Sequence, residues 1–230
     1  MKRKRAAEVD GWWADVQHVP EPELWLPGLH VVRAPRSETR VTVARRDGAT
    51  HVVLPRWADA ATEAGLARTD PAELLTRSFW KAVAKPHDRT AEHPTVYMFT
   101  DTPVGPARGV TPIEPSEVAT WQDDVKPEKW LLSGFGSEVV HAWGVRDERG
   151  ALAAASNLTR HRASPPMVGV LTHPAHRGRG FASRAVRAAT SVAVEEAGLA
   201  GLRARSDDER ARSIGAGLGF EAYCEVLVVR

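Results

Sequence analysis

The residues best suited to chemistry lie in one short glycine-containing segment. The apolar run Val168–Leu171 ends at Thr172–Pro174, and the basic turn Arg177–Gly180 follows before a helical pattern begins at Phe181. A strand, a glycine turn and a helix N-terminus in this order direct unpaired backbone N–H groups and the positive end of the helix dipole to one point. Because glycine lets an anion approach the backbone closely, the segment predicts a phosphate-binding loop.

Two widespread phosphate loops do not match this segment. The P-loop places a lysine after its last glycine, and no lysine follows Gly180. The dinucleotide fingerprint requires a third glycine at the position where this chain has Ser183. That fingerprint also follows the first strand of a βαβ unit, whereas this segment lies late in the chain. The remaining alternative is a basic connection between a strand and a helix that binds no ligand.

The elements around the loop alternate in a regular order. From Phe181 to Ala197, apolar residues recur at helical spacing, and Gly198 provides a stop. The turn at 147–150 separates two runs that predict a β-hairpin. The predicted elements of this half are helices at 116–124, 127–132, 181–197 and 207–217, and strands at 138–145, 151–157, 167–172, 202–205 and 222–229.

The N-terminal half has a different composition. All eight tryptophans lie between Trp12 and Trp143, and prolines cluster in the stretch 102–115, which is typical of a linker. We therefore predict two domains, residues 1–110 and 111–230, of which the first is an α+β region of unknown role. Its predicted elements are strands at 29–33, 41–45, 50–54 and 96–100, a hairpin turn at 46–48, and a helix from 69–71 to about residue 85. Trp12, Trp13, Trp25 and Trp57 either line a pocket or pack in the core, and we expect core packing.

Two separated motifs in the C-terminal half resemble the GCN5-related N-acetyltransferase (GNAT) family. The run Arg177-x-x-Gly180-x-Ala182, preceded by Val170-x-x-His173-Pro174, is similar to that family's acetyl-CoA pyrophosphate loop. The run 208–220, which ends in Leu218-Gly219-Phe220, is similar to its C-terminal tail. The resemblance covers about residues 111–230 and looks closest to actinobacterial-type members that carry an extra N-terminal region.

The resemblance implies a fold and a cosubstrate. The fold class is α/β (α+β), namely the GNAT fold, a mixed and mostly antiparallel sheet flanked by helices, here with an N-terminal α+β extension. The cosubstrate is acetyl-CoA, and backbone groups of Val170, Leu171 and Thr172 would pair with its pantetheine arm. The residues implied for the pyrophosphate and the neighbouring contacts are Arg177, Gly178, Arg179, Gly180, Phe181, Ala182, Ser183 and Asp208.

The chain departs from the family pattern at two positions. Asp208 stands where the family usually has asparagine, and an aspartate cannot donate an amide N–H. Gly215 stands where many members have the tyrosine that protonates the departing thiolate. Ser213 and Tyr223 are candidates to replace that acid, and we select Tyr223. The alternative is that the thiolate leaves with help from water or the backbone.

An attacking amine must also lose a proton to a nearby base. By topology, the candidate bases are Glu138, His141, His161 and His173. We select Glu138, which begins a strand whose family counterpart lines the acceptor site, and His173, which ends the strand before the loop. The alternative for each is a solvated glutamate and a histidine that only structures the loop.

Composition excludes several classes of protein. A net charge of +2 gives no strong field toward nucleic acid, and we expect the basic start Met1–Arg5 to be a solvated, disordered terminus rather than a nucleic-acid or localisation tail. No apolar run reaches the ~18 residues that a membrane helix needs, and no secretory signal follows the start, so we expect a cytoplasmic protein. Cys224 is the only cysteine, which excludes an intrachain disulfide and favours packing. The histidines are scattered, so we predict no metal.

The resemblance implies an acetyl-CoA-dependent N-acetyltransferase enzyme. It would transfer the acetyl group to the primary amine of a small molecule by direct attack in a ternary complex. A protein Nα- or lysine acetyltransferase is one alternative, and a non-catalytic acyl-CoA-binding regulatory domain, suggested by Gly215 and Asp208, is another. The predicted partner is the amine acceptor, and we expect no binding to nucleic acid or to a membrane. The sequence does not decide whether the protein forms a homodimer.

Overall fold

The computed structural model describes residues 1–105, 107–160 and 164–230, so the candidate base His161 lies outside the described residues. Within them the chain forms two compact units that exchange segments. The first unit comprises Met1–Arg5, Met98–Ala204 and Glu209–Glu221. The second comprises Ala6–Tyr97, Arg205–Asp208 and Ala222–Arg230. These units do not follow the predicted boundary at residues 110 and 111, and the division into two functional domains stays a prediction.

Helices and strands follow one another along the whole described chain. The α-helices are α1 (Arg3–Gln17), α2 (Ala60–Leu66), α3 (Arg77–Ala84), α4 (Pro115–Ala119), α5 (Pro127–Ser133), α6 (Phe181–Ala197) and α7 (Glu209–Ala216). The strands are β1 (Gly28–Arg33), β2 (Val41–Arg46), β3 (Ala49–Leu54), β4 (Thr95–Thr100), β5 (Val110–Pro112), β6 (Val139–Arg146), β7 (Leu152–Thr159), β8 (Met167–Thr172), β9 (Ala200–Arg205) and β10 (Glu221–Val229).

The sheet of the first unit runs in the order β4-β9-β8-β7-β6-β5. Strands β5 to β8 pair antiparallel, and β8 pairs with β9 parallel. On one face, α4 and the residues that follow α4 and α5 bury Val118, Trp121 and Phe135 against Ala155 and Leu171 of the sheet. On the other face, α6 buries Phe181 and Ala185 against β6 and β7. The unit is therefore a mixed sheet covered by helices on both faces, as the resemblance implies.

The second unit has its own sheet and core. Its strands follow the order β1-β3-β2-β10, with β1 parallel to β3 and the other pairs antiparallel. The predicted hairpin between β2 and β3 is present, with Asp47 and Gly48 both at positive φ. Helices α2 and α3 cover this sheet, and Trp80 and Leu66 are fully buried beneath them. This part of the chain is therefore an α+β unit.

The structure corrects the helix predicted from 69–71 to residue 85. Asp70 accepts a hydrogen bond from Ala72 N in a tight turn, a 3-10 turn follows at Glu73–Leu75, and extended Thr76 separates it from α3. The preceding helix α2 was not predicted. Its cap is Asp59, whose carboxylate accepts the N–H of Thr62 at 2.8 Å, but no strong apolar period follows that residue to reveal the helix in the sequence.

The expectation of a disordered basic terminus is also wrong. Helix α1 begins at Arg3, and both residues before it are held within the first unit. The amino group of Met1 donates to Glu221 at 2.7 Å, and the N–H of Lys2 donates to Asp101 at 2.6 Å. Two acidic side chains distant in sequence therefore order a segment whose own composition favours solvation.

Candidate functional site

The predicted phosphate loop connects β8 to α6 in the first unit. A 3-10 turn at Pro174–His176 follows the strand, and His173 caps it by accepting the N–H of Ala175 at Nδ1, 3.3 Å away. Gly178 and Gly180 have φ of +79° and +77°, and a Cβ on either would meet nothing within 4 Å. The loop therefore needs glycine for its backbone conformation and leaves open space around both residues.

The N-terminus of α6 faces this open space without a side-chain cap. Gly180 is the N-cap residue and has no side chain to accept a hydrogen bond. The first N–H groups of the 17-residue helix thus have no intrahelical acceptor, and its dipole adds positive potential at the same place. Arg177 and Arg179 are exposed beside it. This arrangement suits an anion such as a diphosphate.

Strand β8 separates from β9 shortly after the two strands meet. The ladder between them consists of Met167 with Gly201 and Val168 with Leu202, whereas β8 pairs with β7 over its whole length. The remaining four residues of β8 border an opening on their β9 side. A linear chain with amide groups fits such an opening as an added strand would.

Strand geometry decides which backbone groups of β8 face that opening. His173 N donates to Ala153 O, toward β7, and Pro166 O accepts from Gly201 N, toward β9. Because the direction alternates from residue to residue, the N–H and C=O groups of Val170 and Thr172 point to the β9 side. The backbone of Leu171 points to β7 and its side chain is buried. Of the three predicted residues, two therefore present backbone groups to the opening.

The end of α5 presses against β8 at the point where the opening begins. Asn157 of β7 lies opposite Gly169, and its amide donates to Ser133 O at 2.9 Å. A Cβ on Gly169 would lie 1.9 Å from Ser133 O and 2.5 Å from Asn157 Oδ1. Gly134 follows at φ +78° and ends the helix in a left-handed turn. Glycine is required at 169 because the helix terminus touches the strand backbone itself.

The structure places the two candidate bases at opposite ends of the sheet. Glu138 is exposed and directly precedes β6. The first residue of β6, Val139, lies level with Met167 at the start of β8, because both pair with Thr159 of β7. His173 follows the other end of β8, six residues away, or about 20 Å at 3.3 Å per residue. Glu138 therefore lies at the end where β8 and β9 are still joined, and His173 lies beside the phosphate loop.

A cavity of about 400 Å³ borders His173. The rings of His173 and Trp121 meet edge to face with centroids 5.4 Å apart, and His173 Nε2 lies 3.8 Å from Asp124 Oδ2. The lining also includes His176, Glu117 and Leu152. These contacts favour a role for His173 in shaping the loop, while its catalytic assignment stays a prediction.

The space of the missing tyrosine is filled by packed side chains. Gly215 is buried in α7, and a Cβ there would lie 3.1 Å from Leu202 and 3.2 Å from Met98. Ser213 is exposed on the same helix. Asp208 is half-buried just before α7 and belongs to the second unit, where its N–H donates to Arg205 O.

Tyr223 is buried in the second unit, among aromatic and charged side chains. Its hydroxyl donates to Asp10 at 2.5 Å and accepts from Trp25 Nε1 at 2.9 Å, while Arg46 lies over its ring. Burial raises the pKa of Tyr223, and the hydrogen bond to Asp10 raises it further. A phenol held in this way is a poor proton donor, which weakens its assignment as the general acid.

The tryptophans of the second unit show mainly core packing. Trp13 is buried, stacks on Tyr223 and meets Tyr97 edge to face. Trp25 contacts His51 and Tyr223, and Trp57 packs beside His87. Cys224 is buried as well, and burial raises the pKa of its thiol, which makes it unreactive.

Three residues near the site were not singled out from the sequence. Asn157 fixes the end of α5, and Asp147 and His176 meet beside the phosphate loop, with Oδ2 and Nδ1 3.9 Å apart. Asp147 had a sequence signal through its turn position, and His176 had one through its place in the loop segment, directly before Arg177. In the described part of the chain, no three His, Cys, Asp or Glu side chains are grouped to hold a metal, and no helix is long and apolar enough to cross a membrane.

Comparison with known proteins gives the relationship of the chain. Residues 84–221 match the sequence profile of the acetyltransferase (GNAT) domain. An acetyltransferase from the GNAT family of Colwellia psychrerythraea is 16% identical with a TM-score of 0.46, over 65% of this chain and 60% of that one. A GCN5-related N-acetyltransferase from Kribbella flavida is 21% identical with a TM-score of 0.43, over 64% of this chain and 62% of that one. The chain thus spans about three fifths of these structures. No curated protein matches it.

Proposed function

Because the chain belongs to the GNAT acetyltransferase family, we propose that it transfers the acetyl group of acetyl-CoA to the primary amine of a small molecule. The family match confirms the predicted GNAT fold and supports the prediction of an acetyltransferase enzyme. The actinobacterial type, the role of the N-terminal region and the cytoplasmic location stay predictions. The observation that carries the proposal is the opening between β8 and β9, which leads to an uncapped helix N-terminus.

The residues present fit acetyl-CoA at both parts of this site. The backbone N–H groups from Gly178 to Ala182, together with Arg177 and Arg179, would hold the pyrophosphate, and the open space at the glycines leaves room for it. The backbone groups of Val170 and Thr172 would bind the pantetheine amides. Bound acetyl-CoA supplies the acetyl thioester. No metal is needed for this binding mode.

Proton removal from the amine falls to groups at the joined end of β8 and β9. Glu138 is the selected base that lies there, and its exposed carboxylate would accept the proton directly or through water. His141 on β6 is the second candidate, with its Nε2 3.8 Å from Glu196. An N–H of β8 would polarise the carbonyl oxygen, a contribution of about 3 kcal/mol.

The departing thiol cannot take its proton from position 215, where many family members have a tyrosine. Gly215 carries no side chain and its surroundings are filled, so we propose that the thiolate leaves with a proton from water. The same observation supports a second candidate function, a non-catalytic acyl-CoA-binding domain. The acceptor type is not fixed by any contact, so peptide N-termini and lysines are tested beside small amines.

The first test is thermal unfolding with and without acetyl-CoA. Ligand at 100 times its dissociation constant adds about 2.7 kcal/mol, or about 5–10 °C for a chain of this size. CoA should give a similar shift, and ATP and NAD should give none. Arg177→Ala should reduce the shift by acetyl-CoA more than that by a pantetheine fragment without phosphate. Equal losses would argue against a phosphate role for this arginine.

Transfer is tested by release of free thiol with a panel of small amines and peptides. Turnover with small amines supports the proposal, and turnover with peptides alone supports the protein acetyltransferase. Cofactor binding without turnover on any acceptor supports the regulatory domain. Absence of a thermal shift with acetyl-CoA would contradict all three.

A further inference from the structure

The turn between β6 and β7 places a fixed carboxylate beside the phosphate loop. Asp147 Oδ1 accepts the N–H groups of Arg149 and Ala151, each at 2.9 Å. Burial works against its charged form, but those two donors and the facing His176 and Arg179 outweigh it and keep the pKa of Asp147 below its usual range. The side chain is 10% exposed. A negative charge is therefore held rigidly next to a site for a diphosphate.

The second oxygen of Asp147 faces the imidazole of His176. Oδ2 lies 3.9 Å from Nδ1, within ion-pair distance but too long for a hydrogen bond. Nδ1 is buried and has no hydrogen-bond partner within the described ranges. The ring is 16% exposed, so the protein holds it inward, although His176 belongs to the turn that leads into the loop.

Contacts continue from His176 to the start of α6. Its ring meets the ring of Phe181 edge to face, with centroids 6.1 Å apart. Phe181 is the first residue of the helix and is buried against β6 and β7. The guanidinium of Arg179 lies 5.1 Å from the same ring. Asp147, His176, Phe181 and Arg179 thus form a chain of contacts that joins both ends of the phosphate loop to the β6–β7 turn.

We propose that Asp147 and His176 are positioning residues for the diphosphate of the cosubstrate. They act through the loop, by fixing its entry at His176 and its exit at Phe181 in the conformation that presents its N–H groups. The inference rests on the proposed function, since acetyl-CoA is the ligand that supplies the diphosphate. A carboxylate beside an anion site opposes binding by simple repulsion, so its placement there requires another benefit. Holding a cationic loop in place is such a benefit.

Charge repulsion and positioning predict opposite effects of one substitution on the binding of CoA. If only charge mattered, Asp147→Asn would remove a repulsion and strengthen the binding of CoA. If position matters, the same change weakens the contact with His176 and weakens the binding of CoA. Asparagine can still accept both turn N–H groups, so the turn itself is kept. Glu148→Gln is the matched control, since it removes a charge from an exposed residue of the same turn.

The experiment is calorimetric titration of the full chain with CoA. We expect the dissociation constant to rise about threefold in Asp147→Asn and about tenfold in His176→Ala, and to change less than about twofold in Glu148→Gln. Pantetheine, which lacks the diphosphate, should bind all variants equally when followed by NMR. In His176→Asn the side-chain amide lies near the place of Nδ1, so this variant should recover part of the lost affinity for CoA. It replaces His176→Ala in the experiment if the alanine variant does not fold.

Each outcome decides the inference. Unchanged or tighter binding of CoA by Asp147→Asn would overturn it, as would equal losses for CoA and pantetheine. If the wild-type chain binds pantetheine and CoA but the variants do not differ, only the positioning role fails. If the wild-type chain does not bind CoA, the proposed function fails with it.

Discussion

Replacing Gly169 by alanine should break the contact that joins α5 to the sheet. The added Cβ would lie 1.9 Å from Ser133 O and 2.8 Å from Ser133 C, both backbone atoms at the end of α5. It would also lie 2.5 Å from Asn157 Oδ1. Backbone atoms cannot rotate away as a flexible side chain can. The helix end must therefore move off β8 to accommodate a single methyl group.

The size of the effect follows from these distances. Carbon and oxygen need about 3.5 Å, so the end of α5 must retreat by about 1.5 Å. Overpacking of this kind costs about 1–3 kcal/mol. The retreat also breaks the hydrogen bond from Asn157 to Ser133 O, and leaving those buried groups unpaired costs about 1–3 kcal/mol more. We expect a total loss of about 3 kcal/mol in the free energy of unfolding.

Thermal unfolding followed by circular dichroism measures this loss. A change of 3 kcal/mol should lower the midpoint by about 6–12 °C for a chain of this size. Gly65→Ala is the matched control, because its Cβ meets nothing within 4 Å and Gly65 lies within α2. That substitution should be neutral or stabilise the protein by up to about 1 kcal/mol.

The reasoning would be refuted by a small effect at Gly169. If Gly169→Ala lowered stability by less than about 1 kcal/mol, below the range for overpacking, the helix end could not lie against the strand as described. A similar loss in Gly65→Ala would show that added methyl groups are harmful in general, and the contact would then explain nothing.

Three further substitutions, one of them with a matched control, test other parts of the structure. Gly180→Val should abolish the thermal shift by acetyl-CoA, because valine resists the φ of +77° that the loop requires. The control Gly48→Val, at φ +86° in a turn of the second unit, should cost similar stability but keep the shift. Gly215→Tyr should lower stability by about 1–3 kcal/mol and leave the rate of acetyl transfer no higher than in the wild type, since Met98 occupies the space; faster transfer would contradict this. Burial, and then the neighbouring His30, lower the pKa of His51 from 6.5 to about 4, so the unfolded state takes up a proton first as the pH falls. His51 should therefore not affect the free energy of unfolding above pH 6.5, and should lower it by about 1.4 kcal/mol per pH unit between pH 6.5 and pH 4. Urea unfolding at several pH values measures this slope, which should be flatter in His51→Phe.

Local patterns were sufficient for the elements that carry the phosphate loop. The strand at 167–172 and the helix at 181–197 have the bounds predicted, because the apolar period and the glycines at both helix ends are encoded in consecutive residues. The loop residues Gly178 and Gly180 have the positive φ that their place before a helix suggests. The sequence and a family resemblance therefore led to the same strand, loop and helix.

Contacts between distant segments decided the rest. The order at Met1 depends on Glu221, and the filled space at Gly215 depends on Met98, more than a hundred residues away. The sequence order of Glu138 and His173 did not show that they lie at opposite ends of one sheet, since strand pairing sets that distance. Tyr223 likewise became a poor acid through burial and through Asp10, not through its neighbours in sequence.

The chain by itself thus determined its family, its phosphate loop and most of its strands, because those depend on residue types at short and regular spacing. Tertiary structure alone decided which backbone groups of β8 face the opening and why Gly169 lacks a side chain. It also brought Asp147 to His176 beside the loop. Burial, pKa and close approach arise from segments that meet only after folding, and no local pattern records them.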